Sequence, residues 1–211
     1  MAFKKGYMIV CDGSNGAGKT TIIKAIAAHL LSRGREIVVT REPGGTPVGE
    51  KIREVLLSPD TPELCATTEL LLFAAARAQH VREKIVPAIE AGKIVISDRF
   101  DAATVSFQYY ARGLPLALIN QLNAIALDGF RPDINIILDL DPAVGIERVN
   151  ARGEALDRME KEKLEFLQRA RNGYLEQARN DPQHFMIIDA SQTLEKVTSS
   201  VIEIVDKITD S

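Results

Sequence analysis

The chain has little cysteine: two in 211 residues, Cys11 and Cys65, with no Cys-x-x-Cys spacing and no histidine cluster beside either. A disulfide scaffold or structural zinc site is therefore not expected, and both thiols read as buried and free, in keeping with a reducing cytosol. Long apolar runs are missing too. None approaches the roughly 18 residues of a membrane span, and the one near the start, Tyr7 to Cys11, is too short for a signal-peptide core. The expectation is a cytoplasmic protein with no membrane partner. Nor is there an excess of positive charge: the formal net charge is −3, which argues against a nucleic-acid partner, because such surfaces rest on a net basic field. Repeats, low-complexity tracts and linkers rich in Pro, Gly or Ser are also absent, so residues 1–211 read as one domain. With 45% hydrophobic and 26% charged residues the chain can bury a sizeable core, which excludes disorder but names no function.

What is present is a repeated alternation. Short β-rich apolar runs occur at "YMIVC" (7–11), "EIVVT" (36–40), "KIVIS" (93–97), "INIILDL" (134–140) and "HFMIID" (184–189), with helical patterns between them. That order predicts an α/β fold built on a parallel sheet covered on both faces. Helices are expected from the glycine loop to Gly34, from Thr46-Pro47 (an N-cap with proline at the first helical position) through Leu57, and across residues 62–92. Further helices are expected over Asp101 to Tyr110, Pro115 to Leu127, Pro142 to Arg152, Glu160 to Arg179 and Leu194 to Thr209.

One motif carries chemistry on its own. Gly13-Ser14-Asn15-Gly16-Ala17-Gly18-Lys19-Thr20 matches G-x-x-x-x-G-K-[ST] and sits between a predicted strand and a predicted helix, the context that motif requires. Glycines let the backbone wrap a polyphosphate, the helix N-terminus offers unpaired N–H groups, Lys19 reaches the outer phosphates, and the Thr20 hydroxyl suits Mg²⁺. A nucleoside triphosphate is the implied ligand. Switch GTPases, motor ATPases and kinases all share this loop. However, no Asn-Lys-x-Asp guanine-reading motif occurs, and no strand ends in the Asp-Glu pair of many hydrolytic ATPases.

Other segments are individually ambiguous. Asp98 and Arg99 close the strand "IVISDRF", where a carboxylate could join a Mg²⁺ shell and a guanidinium could grip a phosphate; without the phosphate loop, a plain strand terminus would be the simpler reading. "TREPGGT" (40–46) reads by itself as a turn with solvated charges. Phe73 and Arg77, four residues apart on one helix face, could stack on a base and donate to its carbonyl, or be a core Phe and a surface Arg. Thr104 and Gln108 repeat that spacing beside Phe107. Arg148, Arg152 and Arg158 flank Gly153 in a charged stretch that reads either as a solvated connection or as a mobile lid meeting a transferring phosphoryl group.

Together, "GSNGAGKTT", "TREPGGTPVGEKIREVLL", "LLFAAARAQ", "DRFDAATVSFQ", "RPDINIILDLDP" and "ARGEALDRME" resemble, in order, the motifs of the thymidylate kinase family among the P-loop nucleoside-monophosphate kinases. The resemblance implies a three-layer P-loop NTPase fold with a five-stranded parallel sheet and a lid at about 150–160, and a homodimer. It implies transfer of the γ-phosphoryl group of ATP to dTMP, with Mg²⁺, in dTTP biosynthesis. On this chain, residues Gly13 to Thr21 and Arg148 would hold ATP. Phe73 would stack on thymine and Arg77 would meet its O4. Thr104, Phe107 and Gln108 would line the base and sugar pocket, with Arg41, Glu42, Pro43, Arg53 and Asn15 around the acceptor. Lys19, Arg99, Arg152 and Arg158 would be catalytic, and Thr20 and Asp98 would serve the metal. The chain departs from the pattern at Asn15 (usually acidic), at Phe107 (usually tyrosine, associated with favouring deoxyribose) and in a lid one residue longer than "RGELDR".

Overall fold

The computed structural model describes residues 6–210 apart from positions 152 and 154. Strands β1 (Tyr7–Gly13), β2 (Ile37–Arg41), β3 (Ile94–Asp98), β4 (Ile134–Asp139) and β5 (Phe185–Asp189) form one parallel sheet in the order β2-β3-β1-β4-β5. Alternate side chains of β1 enter two different cores, which is why the run is apolar throughout rather than alternating. Ile9 and Cys11 pack with Ile22, Ile26 and Leu30 of α1 (Lys19–Ser32) and with Val197, Val201 and Val205 of α9 (Leu194–Thr209). On the other face, Met8 and Val10 meet Val81, Ile85 and Phe100.

The intervening helices are α2 (Pro47–Leu57), α3 (Ala66–His80), α4 (Val86–Glu90), α5 (Asp101–Thr104), α6 (Leu116–Leu127), α7 (Pro142–Asn150) and α8 (Leu164–Asn180). The α2 start follows the sequence signal: the Thr46 hydroxyl accepts from Gly49 N at 3.0 Å and Pro47 occupies the first turn. Such a cap is worth about 1 kcal/mol.

The expected helix over Asp101 to Tyr110 differs in kind, because after Thr104 the chain widens into a π-helical segment, Val105–Ala111. Gly173 of α8 lies against that segment so closely that a Cβ there would stand 2.9 Å from Ser106 Cα. A second π-helical turn, Val81–Ile85, joins α3 to α4. The helix expected from Glu160 begins instead at Leu164, because Asp157 and Glu160 bond reciprocally in a turn, backbone N–H to carboxylate in both directions. Cys11 is buried as expected, but Cys65 is exposed at the start of α3, its thiol 3.1 Å from the Thr68 hydroxyl. Helix-start geometry outweighed the apolar neighbourhood on which its burial was predicted. Among the described residues no helix is long and apolar enough to cross a membrane.

Candidate nucleotide and phosphate-acceptor site

The strand order reverses beside β1, so the crevice outside the carboxyl ends of the strands is where a ligand is expected in such a sheet. Parallel register sets Cys11 opposite Asp98, and Thr40 and Arg41 opposite Ser97 and Asp98. Three chain segments, leaving β1, β2 and β3, thus converge on one cavity of about 590 Å³.

On its first side lies the phosphate loop. Gly18 has φ 90° just ahead of α1, a left-handed turn that glycine adopts without steric cost. Gly16 and Gly145 of α7 let the loop and helix touch: a Cβ on Gly16 would fall 2.4 Å from Gly145 O. Lys19 is buried at 9% exposure and its ammonium donates to Gly13 O at 3.3 Å and Ser14 O at 2.9 Å, curling over the loop. Thr20 and Thr21 line the cavity with exposed side chains. Arg148 reaches the loop from α7, Nη1 to Gly16 O at 3.4 Å.

Opposite the loop stands Arg99, held in the left-handed region at φ 69°, a conformation uncommon outside glycine. Its N–H donates to Cys11 O at 3.0 Å and its carbonyl accepts from the Ser97 hydroxyl at 2.7 Å, which fixes the backbone on both sides. The guanidinium donates through Nη1 to Asp12 Oδ1, Gly13 O and the Tyr174 hydroxyl oxygen, at 3.0, 3.1 and 2.9 Å, and through Nη2 to Asn15 Oδ1 at 2.5 Å. It also lies 5.3 Å from the centre of the Phe107 ring. Asp12 and Tyr174 were not found by the sequence reading, although Asp12 directly precedes the loop. Burial pushes the Asp12 carboxyl above its ordinary range; the Arg99 charge and the Tyr174 hydroxyl offset that only in part.

The far end of the cavity is walled by buried charge. Arg77 and Glu42 have side chains 1% and 4% exposed. Arg77 donates from Nε to Glu42 Oε2 at 2.9 Å, from Nη1 to Asn123 Oδ1 at 2.8 Å and from Nη2 to Phe100 O at 3.0 Å. Glu42 Oε1 lies 3.1 Å from His80 Nδ1, and His80 Nε2 lies 2.7 Å from the Thr40 hydroxyl. The carboxylate sets Nδ1 as donor, and Nε2 then accepts from Thr40. This explains the glycines of "TREPGGT": a Cβ on Gly45 would stand 2.5 Å from His80 Nε2. Glu42 is thus the buried counter-charge of Arg77 rather than a solvated turn residue. Arg53 braces the same turn through Pro43 O at 2.8 Å, while Arg41 pairs with Glu50 at 2.9 Å on the surface.

Gln108 is fully buried in the wall of the cavity. Nε2 donates to Glu69 Oε1 at 2.7 Å, whereas Oε1 has no hydrogen-bond partner. A buried acceptor left unmade costs about 1–3 kcal/mol, so the site presents an unmet demand for a donor. Phe73 and Thr104 line the cavity beside it.

The cavity therefore gathers Asn15, Gly16, Gly18, Lys19, Thr20 and Thr21 with Asp98 and Arg99 and with Arg41, Glu42, Pro43, Arg53, Phe73, Arg77, Thr104, Phe107 and Gln108. Arg158 is not among them. It donates to Leu56 O at 2.9 Å and to Glu69, and its neighbours Asp157, Met159 and Glu160 line the cavity instead. Arg152 lies outside the described residues. Among the described residues no group of three or more His, Cys, Asp or Glu gathers to hold a metal. The Thr20 hydroxyl and Asp98 carboxylate on one cavity are hard oxygen donors, and that small set fits Mg²⁺, which keeps waters and phosphate ligands, better than an ion needing an all-protein cage.

The family model for thymidylate kinase matches residues 11–201. Thymidylate kinase of Hahella chejuensis is 46% identical over 200 residues, covering 95% of this chain and 96% of that protein. Those of Geotalea uraniireducens (43%, covering 93% and 94%) and Pelotomaculum thermopropionicum (44%, covering 98% and 96%) are similar over nearly their whole lengths.

Proposed function

The chain belongs to the thymidylate kinase family, and from that premise we propose that it transfers the γ-phosphoryl group of ATP to dTMP, forming ADP and dTDP. The observation that carries the choice of acceptor is the unpartnered Gln108 Oε1 on a cavity that Arg77 also lines. Thymine offers an N3–H donor and an O4 acceptor on one edge, which meets an amide oxygen and a guanidinium together. Cytosine offers an N3 acceptor and an amino donor there, leaving both buried groups poorly matched. Phe73 supplies a stacking face.

The attacking atom is an oxygen of the acceptor phosphate, largely ionised at neutral pH because its second pKa is about 6. No general base is needed. The new P–O bond forms as the bond from the γ-phosphorus to the bridging oxygen of ADP breaks, and catalysis rests on alignment and charge neutralisation. Lys19 and the loop N–H groups hold the donor phosphates, with Arg148 at the adenine end. Arg99, fixed by Asp12, Tyr174 and Asn15, holds the acceptor phosphate, with Arg41 and Arg53 behind it. Thr20 and Asp98 would hold Mg²⁺, which neutralises charge on the phosphates. Arg158, bonded to Glu69 here, joins the phosphates only in a lid position that releases it; Arg152, assigned a catalytic role by the family resemblance, lies outside the described residues.

The enzyme acts in the cytoplasm as a homodimer in this reading. Exposed Val48 and Val55 on α2, Leu71 on α3 and Ile125 on α6, helices that pack side by side, support an apolar face for a second copy.

The test is ADP release from Mg-ATP with dTMP, dUMP, dCMP and ribothymidine monophosphate offered in turn. Strong preference for dTMP over dCMP is expected. Equal release with and without every acceptor would overturn the proposal.

A further inference from the structure

Glu69, in the first turn of α3, was given no role by the sequence, yet it is the most heavily bonded carboxylate of the base pocket. Its side chain is 1% exposed. Oε1 accepts from Gln108 Nε2 and from Arg112 Nε, both at 2.7 Å; Oε2 accepts from Arg112 Nη2 at 3.1 Å and from Arg158 Nη2. Arg112 also donates to Glu162 Oε1 at 2.6 Å, so two carboxylates and two guanidiniums compensate one another. Burial alone would raise the Glu69 carboxyl, but the bonds from Arg112 and Gln108 outweigh it and hold the group below its ordinary value. It is a fixed negative charge.

That charge decides which end of Gln108 faces the cavity. An amide can turn over at little intrinsic cost, exchanging donor for acceptor in nearly the same volume. Turned over here, its oxygen would confront the Glu69 carboxylate oxygen at the 2.7 Å now spanned by a hydrogen bond. The carboxylate therefore excludes that orientation, and Oε1, on a buried side chain that lines the cavity wall, is left without a partner. We propose that Glu69 is a specificity-determining positioning residue, which locks the Gln108 amide so that the base pocket presents an acceptor to an imide N–H and rejects bases lacking one.

This rests on the acceptor assignment above, and it reaches further. Through Arg158, whose backbone N–H donates to Leu57 O at 3.1 Å and whose side chain donates to Leu56 O, the same carboxylate joins the lid segment to the end of α2 and to the base reader.

Steady-state kinetics with dTMP and dCMP test the proposal in wild type, Glu69→Gln, Gln108→Leu and the double variant. A neutral amide at 69 lets Gln108 turn over. In Glu69→Gln the KM for dTMP should rise about tenfold or more and the dTMP-to-dCMP ratio of kcat/KM should fall about tenfold, with the KM for ATP within about twofold. In the Gln108→Leu background the same substitution should leave that ratio unchanged. An unchanged ratio in the single variant, or an equal loss in both backgrounds, overturns the proposal. Should Glu69→Gln fail to fold, the ¹⁵N-labelled wild type decides: one side-chain amide should exchange slowly and vanish from the spectrum of Gln108→Leu, and its absence refutes the lock. If wild type itself shows no preference for dTMP, the acceptor assignment fails, while the amide measurement still reports on the Glu69 contact.

Discussion

The two ends of the cavity are built on different physics. At one end the contiguous glycine loop, Gly13 to Thr21, shapes the cavity with its backbone, and the Lys19 ammonium bonds to atoms a few residues away, Gly13 O and Ser14 O. At the opposite end, side chains far apart in sequence meet as buried charges: Glu42 with Arg77, and Glu69 with Arg112 and Arg158. A backbone site tolerates loss of a side chain because the chain path survives it. A charge network does not, because each partner removed leaves another charge buried and unmatched.

The sharpest way to break this contrast is at Arg77. Arg77→Met leaves Glu42 buried with only His80 beside it, and is expected to cost about 3–5 kcal/mol of unfolding free energy, read by urea denaturation, along with loss of dTMP turnover. A stability change below about 1 kcal/mol would show that the pair is not what holds that wall. Lys19→Ala should behave in the opposite sense. Gly13 O keeps its bond from Arg99, so the stability loss should stay at about 1 kcal/mol, well below that at Arg77, while kcat with dTMP falls about 10²–10³-fold. A large fall in melting temperature with near-normal turnover would invert the comparison.

The smallest expected effect is in the pH dependence of stability. Glu69 is held below its ordinary value of 4.5, so its contribution to stability is present above that pH and is lost as pH falls through the folded value. Glu69→Gln removes one titrating group from this acid limb. Its plot of unfolding free energy against pH should be shallower than that of wild type below about 4.5, and identical slopes would count against a charged Glu69.

Legibility in the sequence followed the same division. The glycine spacing and Lys19-Thr20 announced the phosphate end, because a contiguous motif carries its own geometry. Alternation of apolar runs and helix signals gave the strands, and Thr46-Pro47 gave the start of α2, within a residue or two. "TREPGGT" and the Phe73/Arg77 pair became interpretable only through the family resemblance, and even then their physical reason was hidden. Nothing local says that Gly45 backs onto His80, or that Glu42 is the counter-charge of Arg77. Asp12, Tyr174, Asn123 and Glu69 carried no signal, since single polar residues in apolar or helical runs look alike whether they face water or one another. The π-helical segment Val105–Ala111 was missed for a related reason: its widened turns lie against Gly173, 62 to 68 positions further along the chain.

By itself, then, the sequence determined the α/β class, the strand and helix order and the glycine loop between β1 and α1. Each of these is a matter of periodicity, backbone freedom or capping within a few residues. Only the tertiary structure decided which charges are buried together, which end of the Gln108 amide meets Glu69, and that Arg158 lies on Glu69. Those outcomes depend on distances between segments tens of residues apart, and on the cost of leaving a buried charge alone, quantities that exist only once the chain has folded.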